Sequence, residues 1–393
     1  VNIVYFGDQW DDLWRRRQQI AGRLAQKGSI AGAWYIEGPV TLTSLAKHWL
    51  GKADGDACDR WRRIRKKGLH FAIDSLHVVT PLTPWPATTN SVGRRLNHWA
   101  YRLAVKQVAV ASRHRPVLLW LSKPTDLPWI NYFAPVLTCY DSTERFWEFE
   151  DAAPRLRQLW QHQDAQLARR ADVVFVQTDE HLREKQAQGA NVFLMPNAVD
   201  TEQFEVPEEN VPADLRDIPA PRIGYVGSIN YRLNWDLVEH MLNRFPQFSM
   251  VFIGNSADKA PREQLRRRYP NIYFLGPRPY HQIPAYLHSM SVCIIPFCTT
   301  SLTLSQSPLK LFDYLAAGKS IVATNGANVR NLERWVRVAD DYDDFCRAIQ
   351  RAVDEDCPEL QQARRMVAAQ HSWSVRVEQI WEIISTHLSE KAA

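Results

Sequence analysis

Short runs of β-branched and aromatic residues alternate with longer amphipathic segments along almost the whole chain. That is the pattern of strand–helix–strand units built on parallel sheets. In the first half, the period and composition predict strands at Asn2–Phe6, 33–36, Leu76–Val79, Val117–Leu121, 136–140, Val173–Val176 and 192–195. Helical spacing falls between them at 13–27, 92–112, 153–170 and 180–188. The second half repeats the alternation, with strands at Arg222–Val226, Ser249–Ile253, 272–275, Val292–Ile295 and 321–323. Its helices are expected at 235–243, 260–268, Ile283–His288 and 309–317. Between the halves, 205–221 (EVPEENVPADLRDIPAP) is rich in proline and charge and lacks periodicity, as a linker does. An α/β chain of two doubly wound domains follows, divided as 1–204, a linker over 205–221, 222–373, and a terminal helix over 374–393 that packs back on the first domain. Ligands of doubly wound sheets bind outside the carboxyl ends of the strands, so those ends are where chemistry is sought.

Composition narrows the classes. The 393 residues suit two domains. The longest apolar runs, such as 292–297, are strand-sized, so no transmembrane helix is expected, and the first residues lack the pattern of a signal peptide. Six scattered Cys without a C-x-x-C pair read as reduced thiols, which points to a cytoplasmic protein. The net charge of +5 is unevenly placed: residues 1–130 carry 20 Lys/Arg against 9 Asp/Glu, and 11 of the 15 Trp lie at or before residue 160. The basic stretches at 15–17, 60–67 and 94–95 suit phosphates, either of nucleic acid or of anionic lipid headgroups. No nucleic-acid motif accompanies them, so a membrane surface is favoured and nucleic acid is not.

Neither strand end that opens a domain carries G-x-G-x-x-G, so a nicotinamide dinucleotide site is poorly supported, and the lack of a Walker loop excludes P-loop hydrolysis. The densest signal is the run from Ser305 to Thr324. Pro308 suits a helix start and Gly318 its end. Backbone N–H groups near Ser305, Ser307, Pro308 and Leu309, with the helix dipole and Lys310, favour a phosphate there, and Asp313 one turn on could accept the hydroxyls of a ribose. An ordinary capped helix is the alternative. The D-x-D pairs at 54–56 and 341–343 read as solvated loops, and no metal site is expected.

At these residues the chain resembles a group 1 (GT4-type) glycosyltransferase of the GT-B fold, similar to those of bacterial surface-polysaccharide synthesis. The resemblance rests on Met195-Pro-Asn-Ala-Val-Asp200-Thr-Glu-Gln-Phe204, Ile223-Gly-Tyr-Val-Gly227, Val251-Phe-Ile-Gly254 and Phe274-Leu-Gly276. Next in order come Pro308-Leu-Lys310-Leu-Phe-Asp313-Tyr-Leu-Ala-Ala-Gly318-Lys and His371-Ser-Trp373. It implies two Rossmann-like domains facing across a cleft, a nucleotide-sugar donor held by the second and an acceptor by the first. Transfer would retain configuration without metal or cofactor, the donor being a co-substrate.

Residue by residue, the resemblance places Asp313 on the ribose and position 305, a Glu in the family, as Ser305. The family's diphosphate-binding Arg after Gly227 is Ser228 and its Lys is Asn234, with Arg232 between them as the replacement, working with Lys310. The loop Arg278, Pro279 and Tyr280 corresponds to the base-holding loop. In the first domain, Asp141 stands near the family's catalytic-loop His. It and Glu144 either orient the acceptor hydroxyl or cap the following helix. Gly7, Asp8 and Gln18 match the acceptor-side loop and first helix. A retaining hexosyltransferase using a UDP-sugar, UDP-glucose above others, and acting on an oligosaccharide or lipid-linked acceptor at the inner face of the membrane is the expectation. A nucleotide-sugar epimerase and a non-catalytic binding protein are the alternatives.

Overall fold

The computed structural model describes residues 1–10, 15–50, 55–85, 91–149, 154–205, 211–256, 259–329 and 332–392. Fully buried runs such as Val173–Val176 and Val292–Ile295 become strands covered on both faces, as parallel sheets require. The chain divides into two compact units, the first comprising Val1–Val176, Leu182–Leu194 and Val377–Ala393, the second Gln177–His181 and Met195–Arg376.

In the first unit the strand order is Val192–Leu194, Val173–Val176, Leu137–Ser142, Val117–Leu121, Asn2–Phe6, Gly32–Ile36, Leu76–Val79, His70–Ile73. All neighbours are parallel except His70–Ile73 with Leu76–Val79, an antiparallel edge that the sequence pattern did not suggest. Asn2–Phe6 pairs with Gly32–Ile36 on one side and Val117–Leu121 on the other, so the winding reverses there. Buried aromatic rings stack across the sheet, Tyr35 on Tyr5, Tyr5 on Trp120 and Trp120 on Phe175. Four of the Trp at or before residue 160, Trp10, Trp61, Trp120 and Trp129, are buried, whereas Trp49, Trp85 and Trp99 are exposed.

The second unit has six parallel strands in the order Ile272–Gly276, Ser249–Ile253, Arg222–Val226, Val292–Ile295, Ile321–Thr324, Val336–Ala339. Its reversal lies between Arg222–Val226 and Val292–Ile295. The mixed α/β architecture follows the alternation in the sequence, with most strand limits within two residues, while the strand order and the place of each reversal come from the tertiary structure. Helices Leu42–Trp49, Gly55–Lys67, Tyr342–Asp354 and Pro358–Gln370 were not foreseen. Asp341 and Asp343 lie in no loop: Asp341 is the N-cap of Tyr342–Asp354, accepting from the Asp344 amide at 2.7 Å. Asp54 lies outside the described residues.

The unit limits differ from the expected division. Residues 195–204 group with the second unit because Val199 bridges to Ser372 and Asn197 donates to the Ser307 carbonyl. The terminal helix Trp373–Ala392 passes from one unit to the other. Its later turns join the first unit through Lys27–Glu378, Asn191–His387 at 2.9 Å and Lys391–Asp172 at 2.6 Å. Among the described residues no helix is long and apolar enough to cross a membrane.

Candidate active site

The strand end at the reversal of the second unit is built on close backbone approach. Gly227 and Gly254 sit at φ +141° and +144°, and a Cβ at Gly254 would overlap the Gly227 carbonyl oxygen. The helix Leu309–Ala316 is fastened to the same strand end, since the Val226 amide donates to the Tyr314 hydroxyl at 2.8 Å. This brings Lys310, in the first turn, beside Gly227, where a Cβ would lie 2.8 Å from Lys310 Cε.

Lys310 Nζ lies 4.6 Å from the centroid of Tyr225 and 4.5 Å from that of Phe297, a cation held between two aromatic faces. Arg232 Nη1 donates to Gln306 Oε1 at 2.9 Å, and its Nε to Asn230 Oδ1 at 3.3 Å. Among the described residues neither cation forms an ion pair with a carboxylate. Burial, then repulsion from Arg232, lowers the Lys310 ammonium to about 7, with Asp313 opposing. Burial pushes Asp313 up to about 7, although it accepts from the Tyr280 hydroxyl at 2.9 Å and faces Lys310. Two cations, a helix start and a carboxylate one turn further on thus converge at one strand end. That arrangement can hold a phosphate group and a vicinal diol.

Several expected donors are already engaged. The Gly227 amide donates to Ile253 O at 2.9 Å, the Ser305 amide to Ser301 O at 3.0 Å, and the Ser307 amide to Gln177 Oε1 at 3.4 Å. Ser305 is fully buried and its hydroxyl returns to the Leu302 carbonyl at 2.8 Å, so it presents no oxygen to a donor sugar. Pro308 is the N-cap rather than the first helical residue. The amides left to face an anion are those at Leu309 and Lys310, which a helix does not satisfy internally. Arg278 is held by Asp214 at 2.6 Å and Tyr286 at 2.8 Å, so its side chain is committed and only its backbone is available, whereas the Tyr280 hydroxyl reaches Asp313. Ser228 is exposed, and Asn234 is the N-cap of Trp235–Arg244, accepting from Leu237 N at 3.0 Å.

The first unit corrects two expectations. Asp141 is fully buried within the strand Leu137–Ser142 and takes a bidentate ion pair from Arg16, with Nη2 at 2.8 Å and Nε at 2.9 Å. It neither meets an acceptor nor caps a helix, because a lone buried carboxylate beside a buried guanidinium satisfies itself. Gln18 is likewise buried, accepting from the Arg15 amide at 2.8 Å to close the start of the helix Arg16–Ala25. The open group at this strand end is Asp8, whose carboxylate is paired with Arg17 and, at 2.7 Å, with Lys123. Gly7 beneath it leaves room for the Tyr35 ring, which a Cβ would strike. Glu144 lies half-buried near Lys123 and raises its affinity for a proton, while burial and Arg17 lower the Lys123 ammonium to about 8. Lys123 and Arg17 were missed; the position of Lys123 two residues past the strand Val117–Leu121 was the available signal. Gln306 was missed too, having no chemistry of its own beyond holding Arg232.

Two cations of the basic stretch 60–67, Arg60 and Arg63, turn inward, while Arg62, Arg65, Lys66 and Lys67 are exposed. Glu37 is fully buried and bound by Arg63 and, at 3.6 Å, by Arg60, with Thr80 and the Trp10 amide donating to the same carboxylate.

The topology defines an α/β protein of two doubly wound units, with cations and a helix start gathered at one strand end, and comparison with known proteins makes the class more particular. Residues 220–355 match the family described as glycosyl transferases group 1, and the resemblance noted in the motifs is to that family. A protein of Bacillus subtilis (strain 168) described as a teichuronic acid biosynthesis glycosyltransferase, TuaH, is 27% identical over 201 residues. The aligned part spans 48% of this chain and 49% of that relative, about half the length of each. Sucrose-phosphate synthase from Thermosynechococcus elongatus superposes with a TM-score of 0.73 at 14% identity, covering 99% of both chains. Anabaena HepE in complex with UDP and glucose gives 0.66 at 12%, covering 98% of this chain and 99% of that one. The fold is therefore GT-B, with two Rossmann-like units.

Proposed function

We propose that the protein is a retaining glycosyltransferase that moves a hexose from a UDP-sugar, UDP-glucose above others, to a carbohydrate or lipid-linked acceptor in surface polysaccharide synthesis. The observation that carries the proposal is the pair Arg232 and Lys310, cations without a carboxylate partner at the strand end of the unit that matches the family, one turn from Asp313. A UDP diphosphate supplies the missing negative charge, and Asp313 with Tyr280 receives the ribose. Relatives support the donor: solved GT-B structures include one described with UDP-glucose and one with UDP-2-fluoro glucose.

In this mechanism the bond from the anomeric carbon to the diphosphate breaks while the acceptor oxygen bonds to the same face. Charge accumulates on the leaving phosphate, where Lys310, Arg232 and the helix start at Leu309 stabilise it. The acceptor proton passes to that phosphate, so no protein base is required, consistent with Asp141 being locked to Arg16. No metal ion or cofactor takes part, and the reaction is placed at the cytoplasmic face of a membrane. Asp8, Lys123 and Glu144 are the acceptor-side groups.

The test is UDP release from UDP-glucose together with thermal stabilisation by UDP-, GDP- and ADP-sugars. Lys310→Ala is expected to lower turnover by about 100-fold or more; unchanged turnover removes Lys310 from the mechanism. The non-catalytic alternative is favoured by the burial of Ser305, which leaves the donor sugar one contact short of the family pattern. Stabilisation by UDP-glucose with no UDP release under any acceptor would decide for it, and conversion of the sugar without UDP release would indicate an epimerase.

A further inference from the structure

The helix Ser91–Ser112 has two apolar faces. One packs on the core through Tyr101, Ala104, Val105 and Val108. The other carries Val92, Leu96, Trp99, Leu103 and Val110, all exposed, with Trp99 at 62%. At 100° per residue these five fall within about 60° of arc, opposite the core face. A single exposed apolar residue needs no explanation, but a stripe over five turns of one helix does. The helix contains no Asp or Glu. Arg95, Arg102 and Lys106 run along one flank of the stripe and share a shallow groove with Trp99 and Tyr132, Arg102 lying over the Tyr132 ring at 5.3 Å.

One neighbour extends the surface. Trp85, 44% exposed, is tied to this helix by Asn97, which accepts from its amide at 3.1 Å and donates to its carbonyl at 2.9 Å.

We propose that this face of the first unit, the outer stripe of Ser91–Ser112 with Trp85, docks on an anionic lipid bilayer. The occupant follows from charge complementarity. A stripe of aliphatic residues and indoles flanked by cations and free of carboxylates matches the interface of a bilayer that carries phosphate headgroups, where Trp seats and Lys/Arg are attracted. The surface stands on these residues alone and does not depend on the transferase reading.

The test is co-sedimentation of the full chain with phosphatidylcholine vesicles with and without phosphatidylglycerol, alongside the double variant Trp99→Ser/Leu103→Ser and the charge variant Arg95→Glu/Arg102→Glu. These side chains are exposed, so each variant should melt at the wild-type temperature, and an unchanged melt is the control for folding. Binding is expected only with phosphatidylglycerol present, weakened by salt, and reduced about tenfold or more in both variants. Absence of binding, equal binding to neutral vesicles, or full binding by the variants overturns the proposal. So does a dimer in analytical ultracentrifugation that the double variant converts to monomer, since the stripe would then be covered by a second copy.

Discussion

Lys310 and Asp313 show why a binding site destabilises the chain that carries it. Lys310 holds its proton less tightly when folded, at about 7 against an ordinary 10.5, so between those values the unfolded chain binds the extra proton and stability rises with pH. Asp313 is the reverse: raised to about 7 from 3.8, it keeps a proton in the folded chain that the unfolded one lacks, and stability falls as pH rises across that window. Both contributions are least favourable near neutrality, where a diphosphate would relieve the first. Lys310→Met is therefore expected to raise the melting temperature of the free protein by about 2 °C at neutral pH while abolishing its stabilisation by UDP. Binding of UDP should also take up a proton above pH 7, seen as buffer-dependent heat in calorimetry and as weaker affinity from about pH 7 to 9. Asp141 behaves differently, since its partner is fixed. Asp141→Asn leaves Arg16 buried without a counter-charge and should cost about 3 kcal/mol in urea unfolding.

At the scale of elements, helix starts decide several residues' roles. Asn234 holds the family's Lys position but serves as the N-cap of Trp235–Arg244 and also accepts from the Tyr342 hydroxyl at 3.1 Å. Asn234→Ala should cost about 1 kcal/mol while leaving UDP affinity within about twofold, measured by denaturation and calorimetry together. Cap chemistry was legible where proline or glycine marked it, as at Pro308 and Gly318. It was not legible at Asn234 or Asp341, because the same side chain can cap, ligate or face water, and only the neighbouring amide decides. The helices Leu42–Trp49 and Gly55–Lys67 escaped notice for a related reason. The first buries none of its residues, and charge on the second obscures its helical period while Arg60 and Arg63 turn inward to Glu37.

At the scale of the whole chain, UDP contacts are proposed for the second unit only. Hydrogen exchange should show UDP slowing amides around Gly227 and Leu309 to Asp313, with little change in the strands Asn2–Phe6 and Val117–Leu121. Equal protection of both units would shift the donor site away from the second. The charge asymmetry has also divided. Part of the basic excess of the first third neutralises buried Asp141 and Glu37, and part lines the exposed stripe of Ser91–Ser112.

The sequence by itself determined the α/β class and the strand ends where chemistry gathers, because burial on both faces of a parallel sheet imposes continuous apolar runs. It also placed Lys310, Arg232 and Asp313 at those ends. Only the tertiary structure decided which polar groups remain open. Asp141 and Gln18 are closed by Arg16 and Arg15, Ser305 by Leu302, and Arg278 by Asp214, while among the described residues Lys310 and Arg232 are left without a paired carboxylate. A residue's type fixes what it can bind, but its availability depends on partners distant in the chain, and those are set by folding.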